Sequence, residues 1–215
     1  MTYNSLVQEI EDYLNRYDTL TIANIPNFIS QAQQIIAREC KNIGFEQVAV
    51  GAFTANNAVQ AKPGRWRTTL AINFGSGANN NVRNPIEQRS YDYLRLYWQD
   101  DSQTAPPEFY ADYGYSNWLF APTPDQAYPY EVTYLELPVP LTVNQQTNWL
   151  TIYAPEVLLY GSLLQSMSFL KNDERVPLWQ SYYQMGLTAL KAENHSRLVD
   201  RQSNIQQDKP ASNQD

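Results

Sequence analysis

A stretch that begins at Pro155 constrains the fold of this chain more than any other. Proline is accepted in the first turn of a helix, and the residues from Val157 to Leu170 are apolar on nearly every side of that helix. Such a helix must be covered by neighbours over most of its surface. We therefore expect it at the centre of a group of helices, with small residues Gly161, Ser162 and Ser166 allowing a neighbouring helix to approach closely.

Three further helices are predicted by apolar residues at helical spacing. The first covers Ser5 to Arg16, and the second begins at Asn24 and ends at Gly44, so that the two form an antiparallel pair. Asn172 or Asp173 is expected to cap the last helix. Two apolar stripes run along that last helix: Leu178, Tyr182, Met185 and Ala189 form one, and Trp179, Tyr183, Gly186 and Leu190 form the other. Two stripes exceed what one partner helix covers, so one of them is expected to face another subunit.

From Phe45 onward the apolar pattern alternates, which is typical of strands. The first two predicted strands form a pair joined by a long loop, and the last three form an antiparallel meander. Ser90 is expected to cap a short helix through Leu94 to Trp98. The predicted strands are Phe45 to Phe53, Trp66 to Phe74, Ile86 to Arg89, Glu108 to Tyr113, Trp118 to Ala121 and Tyr130 to Leu137.

The predicted fold class is α+β, with an antiparallel helical bundle of about four helices, an inserted antiparallel β-sheet domain and a flexible C-terminal tail. The tail is polar and cannot bury enough apolar surface to fold alone, so it is expected to be disordered in the isolated protein. The predicted domains are an N-terminal helix pair at 1–44, a β-rich insertion with one short helix at 45–150, a C-terminal helix pair that completes the bundle at 151–201, and an extended tail at 202–215.

Catalytic chemistry has little support in this sequence. The single cysteine, Cys40, excludes an intrachain disulfide and a cysteine zinc site, and the single histidine, His195, lies among polar neighbours near a helix end. The segment Gly75-Ser76-Gly77 lacks the lysine and hydroxyl residue of a phosphate-binding loop. We therefore predict that the chain is not an enzyme and has no catalytic residue, cofactor or metal.

The formal net charge of −7 argues against a surface that grips nucleic acid, because that affinity comes from clustered Lys and Arg. An acidic surface beside DNA would instead repel the duplex and let it slide. The N-terminus has no signal-peptide pattern, and no segment approaches the length of a membrane span. The chain is thus expected to be made and kept in a cytoplasm.

Several segments of the C-terminal half resemble the phage adaptor family, which comprises head-to-tail connector proteins of tailed bacteriophages. The first helices, Ser5 to Cys40, are similar more loosely. The segments that carry the resemblance are Ala121-Pro122-Thr123-Pro124-Asp125, Tyr130 to Leu137, Thr147-Asn148-Trp149-Leu150, Pro155 to Tyr160, and Lys171-Asn172-Asp173-Glu174-Arg175 with Trp179 and Tyr183.

This resemblance implies a structural virion protein in the neck between head and tail. Family members form a homo-oligomeric ring, of about twelve copies, through which DNA passes without sequence-specific binding. The implied partners are the portal protein and a tail or nozzle protein, with helices toward the portal and β elements toward the tail. No membrane is implied.

Two groups of residues are candidate contacts in such an assembly. The first group lies on and after the last helix, and Ile205 would act as an apolar anchor when the tail becomes ordered against a neighbouring ring. The second group lies in two Asn-rich loops between strands. The candidate portal or subunit contacts are Trp179, Tyr183, Leu190, Arg201 and Ile205, and the candidate tail-side contacts are Asn56, Asn57, Asn79 and Asn80.

Two alternative functions are also compatible with the sequence. One is another connector, such as a stopper or tail terminator, although helix pairs that flank a β insertion argue against it. The other is a β-rich carbohydrate-binding module of a host-recognition protein, in which aromatic clusters such as Tyr91, Tyr93, Tyr97 and Trp98 would stack on sugars. A ring in electron micrographs would favour the adaptor, and retention on glycan arrays would favour the module.

Overall fold

A computed structural model describes residues 1–40, 43–77, 82–168 and 174–207. Within these ranges the chain forms six α-helices and seven β-strands. It divides into two compact units, which we call the helical unit (Met1–Phe45 with Pro138–Asp215) and the sheet unit (Glu46–Leu137).

Five of the six described helices belong to the helical unit, and α3 belongs to the sheet unit. The helices are α1 (Tyr3–Leu14), α2 (Thr19–Glu39), α3 (Tyr91–Tyr97), α4 (Trp149–Tyr153), α5 (Pro155–Gln165) and α6 (Val176–Gln207). The strands are β1 (Glu46–Ala52), β2 (Val59–Ala61), β3 (Trp66–Ser76), β4 (Val82–Gln88), β5 (Phe109–Tyr113), β6 (Asn117–Ala121) and β7 (Pro129–Glu136).

Side-chain caps set the helix starts, and they correct two sequence predictions. Thr2 caps α1 and exchanges hydrogen bonds with Ser5, so the helix begins earlier than expected. The Asp18 carboxylate accepts the Thr21 N–H at 3.0 Å and caps α2. The predicted start at Asn24 is therefore wrong, because α2 has already begun at Thr19.

The start of α4 carries a cap that sequence analysis did not assign. The Asn148 side chain accepts the Thr151 N–H at 3.2 Å, and the Thr151 hydroxyl accepts the Asn148 N–H at 2.9 Å. This reciprocal pair satisfies two backbone donors that the helix itself leaves unpaired. Ser90 caps α3 by accepting the Tyr93 N–H, which confirms the predicted cap.

The α5 helix is covered on most sides, as its apolar sequence predicted. It contacts α1, α2, α4 and α6, and it is shorter than predicted because a 3-10 turn follows at Ser166–Ser168. Phe169 and Leu170 lie outside the described residues. Its buried residues are Val157, Leu158, Leu159, Gly161, Ser162 and Leu163.

Close packing at α5 depends on a glycine. A Cβ atom at Gly161 would lie 3.2 Å from the Tyr183 ring of α6 and 3.4 Å from the Ala32 side chain of α2. Two other helices therefore approach α5 at one point. The small buried residue Ser162 donates its hydroxyl to the Leu158 carbonyl at 2.7 Å, so its polarity is satisfied within the helix.

The seven described strands form one sheet in the order β1-β7-β3-β4-β5-β6-β2. The neighbours are antiparallel except β4 and β5, which pair in parallel through Glu87 with Phe109 and Gln88 with Tyr110. β7, the last strand in the chain, lies between β1 and β3 and pairs with both. The sheet is therefore mixed.

The predicted fold class, a helical bundle of about four helices with an inserted antiparallel sheet, is wrong. The described structure is a seven-stranded mixed half-barrel sheet with six helices, about 45% helical and 26% strand. The predicted pairing of the first two strands fails because β7 lies between them. The last three strands are not a meander, since β5 and β6 pair with each other but β7 lies elsewhere in the sheet.

Both faces of the sheet carry buried residues, because successive side chains of a strand point to opposite faces. Trp118 and Phe120 of β6 belong to a mainly aromatic cluster, while Leu119 and Ala121 pack with Leu94 of α3. The indole N–H groups of Trp66 and Trp118 each donate to the Thr69 hydroxyl at 3.0 Å. One β3 hydroxyl thus satisfies two buried tryptophans. The aromatic cluster consists of Phe53, Trp66, Ile72, Phe74, Ile86, Tyr110, Trp118, Phe120, Tyr128, Val132 and Tyr134.

Gly44→Ala should destabilise the helical unit. The new Cβ atom would lie 1.9 Å from the Trp149 ring, which also packs on Phe45 and Tyr153 at centroid distances of 5.3 and 5.5 Å. Relieving that overlap requires the ring to move and should cost about 1–3 kcal/mol, measured by thermal unfolding. Gly64→Ala is the control, since nothing lies within 4 Å of its Cβ position. Equal melting temperatures for the two variants would contradict this account of the packing.

Candidate interaction surfaces

The described ionisable side chains do not group into a metal site. Over the part of the chain that the structure describes, no three His, Cys, Asp or Glu side chains cluster closely enough to hold a metal ion. His195 is exposed on α6, and Cys40 is buried at the end of α2. None of the described helices has both the length and the apolar character that a membrane span requires.

The Lys62 side chain is almost fully buried, and its neighbours explain how the charge is accommodated. Its side chain is only 2% exposed, and its Nζ atom lies 2.7 Å from an Asp112 carboxylate oxygen. It also donates to the Gly114 carbonyl at 3.3 Å and lies 3.5 Å from the centroid of the Trp66 ring. These three contacts compensate the positive charge of Lys62. They also link the β5–β6 hairpin to the segment before β3.

The α6 helix has a buried face that includes three of the predicted contact residues. Trp179, Tyr183 and Leu190 are 2%, 5% and 7% exposed. Burial raises the pKa of Tyr183 above its ordinary value, and the negative charge of Glu39 raises it further. These side chains pack within the helical unit, and their predicted role in portal or subunit contact stays a prediction.

A second apolar face of α6 is exposed. We call Leu178, Tyr182, Met185, Ala189 and Ala192 the α6 stripe; the first three are 51%, 39% and 60% exposed, and both alanines are exposed. At 100° per residue, the centre of the stripe lies roughly 120° around the helix from the centre of the buried face formed by Trp179, Tyr183 and Leu190. Most of this stripe was predicted from the sequence, but the contact role was predicted for its buried neighbours Trp179, Tyr183 and Leu190.

Aromatic contacts extend this exposed surface beyond α6. The Tyr182 ring packs on Tyr160 of α5 with centroids 5.0 Å apart, and Tyr160 meets Tyr13 edge-on at 6.3 Å. Tyr13 is 41% exposed. The apolar surface accessible to a partner therefore includes parts of three helices.

The C-terminal part of α6 continues past the packed region. Among the side chains that the structure describes, Leu190 is the last buried one of α6, and those from Lys191 to Val199 are exposed or only partly buried. We call residues 191–207 the α6 arm. Arg201 and Ile205 lie in its last turns, so residues 202–207 are helical and not an extended tail, and 208–215 lie outside the described residues.

The first Asn-rich loop has a structural function of its own. Asn56 has a φ of 59°, a left-handed conformation that asparagine tolerates better than most residues, and its N–H donates to the Pro124 carbonyl at 2.8 Å. The Asn57 side chain accepts the Val59 N–H at 2.9 Å. Both residues are exposed, and their tail-side role stays a prediction. Asn79 and Asn80 lie outside the described residues.

Tyrosines on and near α3 form a third exposed surface. Tyr93 and Tyr97 are each 41% exposed and stack with centroids 6.0 Å apart, and both contact the Phe109 ring edge-on. The Tyr97 hydroxyl donates to Glu108 at 2.8 Å, which raises the pKa of Tyr97. These rings pack largely on one another, so they form a cluster and not a row of free platforms for sugars.

The α6 stripe and the tyrosine cluster near α3 are exposed apolar surfaces of the kind enriched at protein interfaces. A family model described as "SU10 adaptor protein" matches residues 1–207, and the chain therefore belongs to this phage adaptor family. The resemblance noted from the sequence is confirmed. No curated protein matches the chain.

Substitutions at Asn56 should separate the structure of its loop from any tail contact. Asn56→Val should cost about 1–2 kcal/mol, because a β-branched residue disfavours a left-handed conformation, whereas Asn56→Gly should unfold at nearly the same denaturant concentration as the native chain. Denaturant unfolding monitored by tryptophan fluorescence provides the measurement. If both variants lose equal stability, the loss comes from the missing side chain and not from the backbone conformation.

Proposed function

We propose that this chain is the head-to-tail adaptor of a tailed phage and forms a closed ring that joins the portal protein to the tail. Membership of the phage adaptor family supports a structural role in the virion and an interaction with other head and tail proteins. The proposed ring contains about twelve copies, is located in the neck and has a channel for DNA.

The α6 arm is the observation that carries this proposal. The arm continues α6, and its described side chains, Lys191 to Val199, are exposed or only partly buried, although a helix without packed neighbours is only marginally stable in water. A second protein that covers the arm would supply the missing contacts. We propose that this protein is the portal, and that residues 202–215, including Ile205, contribute to the contact.

The sheet unit is proposed to face the tail. Its exposed loop at Asn56 and Asn57 is held by backbone and side-chain hydrogen bonds, so it can present polar groups in a defined geometry. The net charge of −7 is compatible with a channel wall that repels DNA. DNA would then pass without sequence-specific contacts.

Deletion of residues 202–215 tests the portal contact. The described core of the helical unit, which includes Trp179, Tyr183 and Leu190, stays intact in this variant, so the melting temperature of the isolated protein should change little. Binding to DNA-filled heads that carry the portal but no tail should weaken, as measured by co-sedimentation. A matched control replaces 202–215 with a scrambled sequence of the same composition, which preserves length and charge.

Binding of the full-length, truncated and scrambled chains tests the proposed portal contact of the α6 arm. Equal binding of the truncated and full-length chains would refute the portal contact. If the scrambled chain binds as well as the full-length chain, the contribution of residues 202–215 does not depend on their sequence and is nonspecific. Electron microscopy of the bound heads tests the ring separately. About twelvefold symmetry of the adaptor density is expected, and density without rotational symmetry would refute the ring.

A further inference from the structure

The α6 stripe differs from an ordinary exposed helix face because it carries no charged residue between Leu178 and Ala192. Charged residues make up 17% of the chain, and exposed helix faces normally hold many of them. Met185, at the centre of the stripe, is 60% exposed. Protein interfaces are distinguished from the remaining surface mainly by the loss of charge at their core.

The helical unit presents a second uncharged helix face. Between Thr19 and Ala37, α2 contains no Asp, Glu, Lys or Arg. Its exposed residues at helical spacing form what we call the α2 outer face, where Leu20 is 66% exposed. The α2 outer face consists of Leu20, Ala23, Asn27, Ser30 and Gln34.

The two faces match in length and in the size of their side chains. Each spans 15 residues, so that about 21 Å of helix axis separates its first and last residues. The small residues Ala23 and Ser30 on one face, and Ala189 and Ala192 on the other, allow two helices to approach closely. Larger apolar groups, such as Met185 and Leu20, then fill the space between the helix axes.

We infer that the α6 stripe of one copy of this chain packs against the α2 outer face of the next copy. This inference rests on the proposed ring and assigns its subunit contact. The two surfaces differ, so the contact is head-to-tail and can be repeated around a closed ring. A contact between two identical stripes would instead end at a dimer.

The size of the contact also favours a second copy within a ring. A helix contact about 21 Å long and one helix diameter wide covers roughly 250 Å². A stable interface buries about 800 Å² on each partner, so this contact alone would not hold an isolated dimer. In a closed ring each copy makes the contact twice, and loss of one copy requires two contacts to break together.

Cysteine cross-linking tests the inference directly, since Cys40 is the chain's single cysteine and is only 1% exposed. Two variants, Met185→Cys and Asn27→Cys, are treated with a bismaleimide separately and as an equal mixture. The mixture should yield a covalent dimer that neither variant yields alone. The double variant should yield a ladder of products that ends at the number of copies in the ring.

The control is Gln184→Cys, an exposed position next to Met185 in sequence but on the polar face of α6. A mixture of Gln184→Cys and Asn27→Cys should give much less cross-linked dimer than the mixture of Met185→Cys and Asn27→Cys.

Dimers from Met185→Cys alone would overturn the head-to-tail contact in favour of paired stripes. A mixture no more cross-linked than the Gln184→Cys control, under conditions in which native rings are visible by electron microscopy, would also overturn it. Absence of rings for the native chain, alone or on heads, would refute the proposed function instead.

Discussion

The close approach of α2 and α6 at Gly161 of α5 is the interaction on which the helical unit depends. With no side chain at this position, the Tyr183 ring and Ala32 come within contact distance of the α5 backbone. Gly186 has the corresponding position on α6, where a Cβ atom would lie 2.9 Å from Val157. Glycines on both helices thus let α5 and α6 approach closely at two points along their contact. This packing orients α6, and the orientation decides which of its side chains are exposed.

One helix consequently carries three distinct surfaces. The face with Trp179 and Tyr183 is buried in the unit, the face with Met185 is apolar and exposed, and the face with Gln184 is polar. The arm after Leu190 adds a fourth feature, which is a stretch of helix whose described side chains, Lys191 to Val199, are exposed or only partly buried. A protein that must stay soluble before assembly and remain attached afterwards benefits from small contacts, because each is weak alone and strong when repeated around a closed assembly. This is the physical basis of the proposed ring.

The sheet unit is organised by β7. Its buried Val132 and Tyr134 lie at the centre of the pairings with β1 and β3, so the last described strand in sequence connects two strands that precede it in the chain. The strands themselves were predictable from alternating apolar residues at Trp66 to Phe74 and Tyr130 to Leu137. Their pairing was not, since alternation identifies the buried face of a strand but not its neighbour. The short β2 strand was missed because three residues are too few to show a period.

The sequence by itself determined most of the helices and strands, although not β2, α4 or the start of α2, together with the central position of α5, the two apolar stripes of α6 and the resemblance to the phage adaptor family. These features follow from local periodicity and from motifs, which any chain carries in its residue order. The tertiary structure alone decided the strand order with its parallel β4–β5 pair, and it decided that Trp179 is buried while Met185 is exposed. Both stripes of α6 are apolar, and only the position of α5 beside Gly186 selects the one that packs inside. Burial depends on neighbours far away in sequence, so no local pattern could have made that choice.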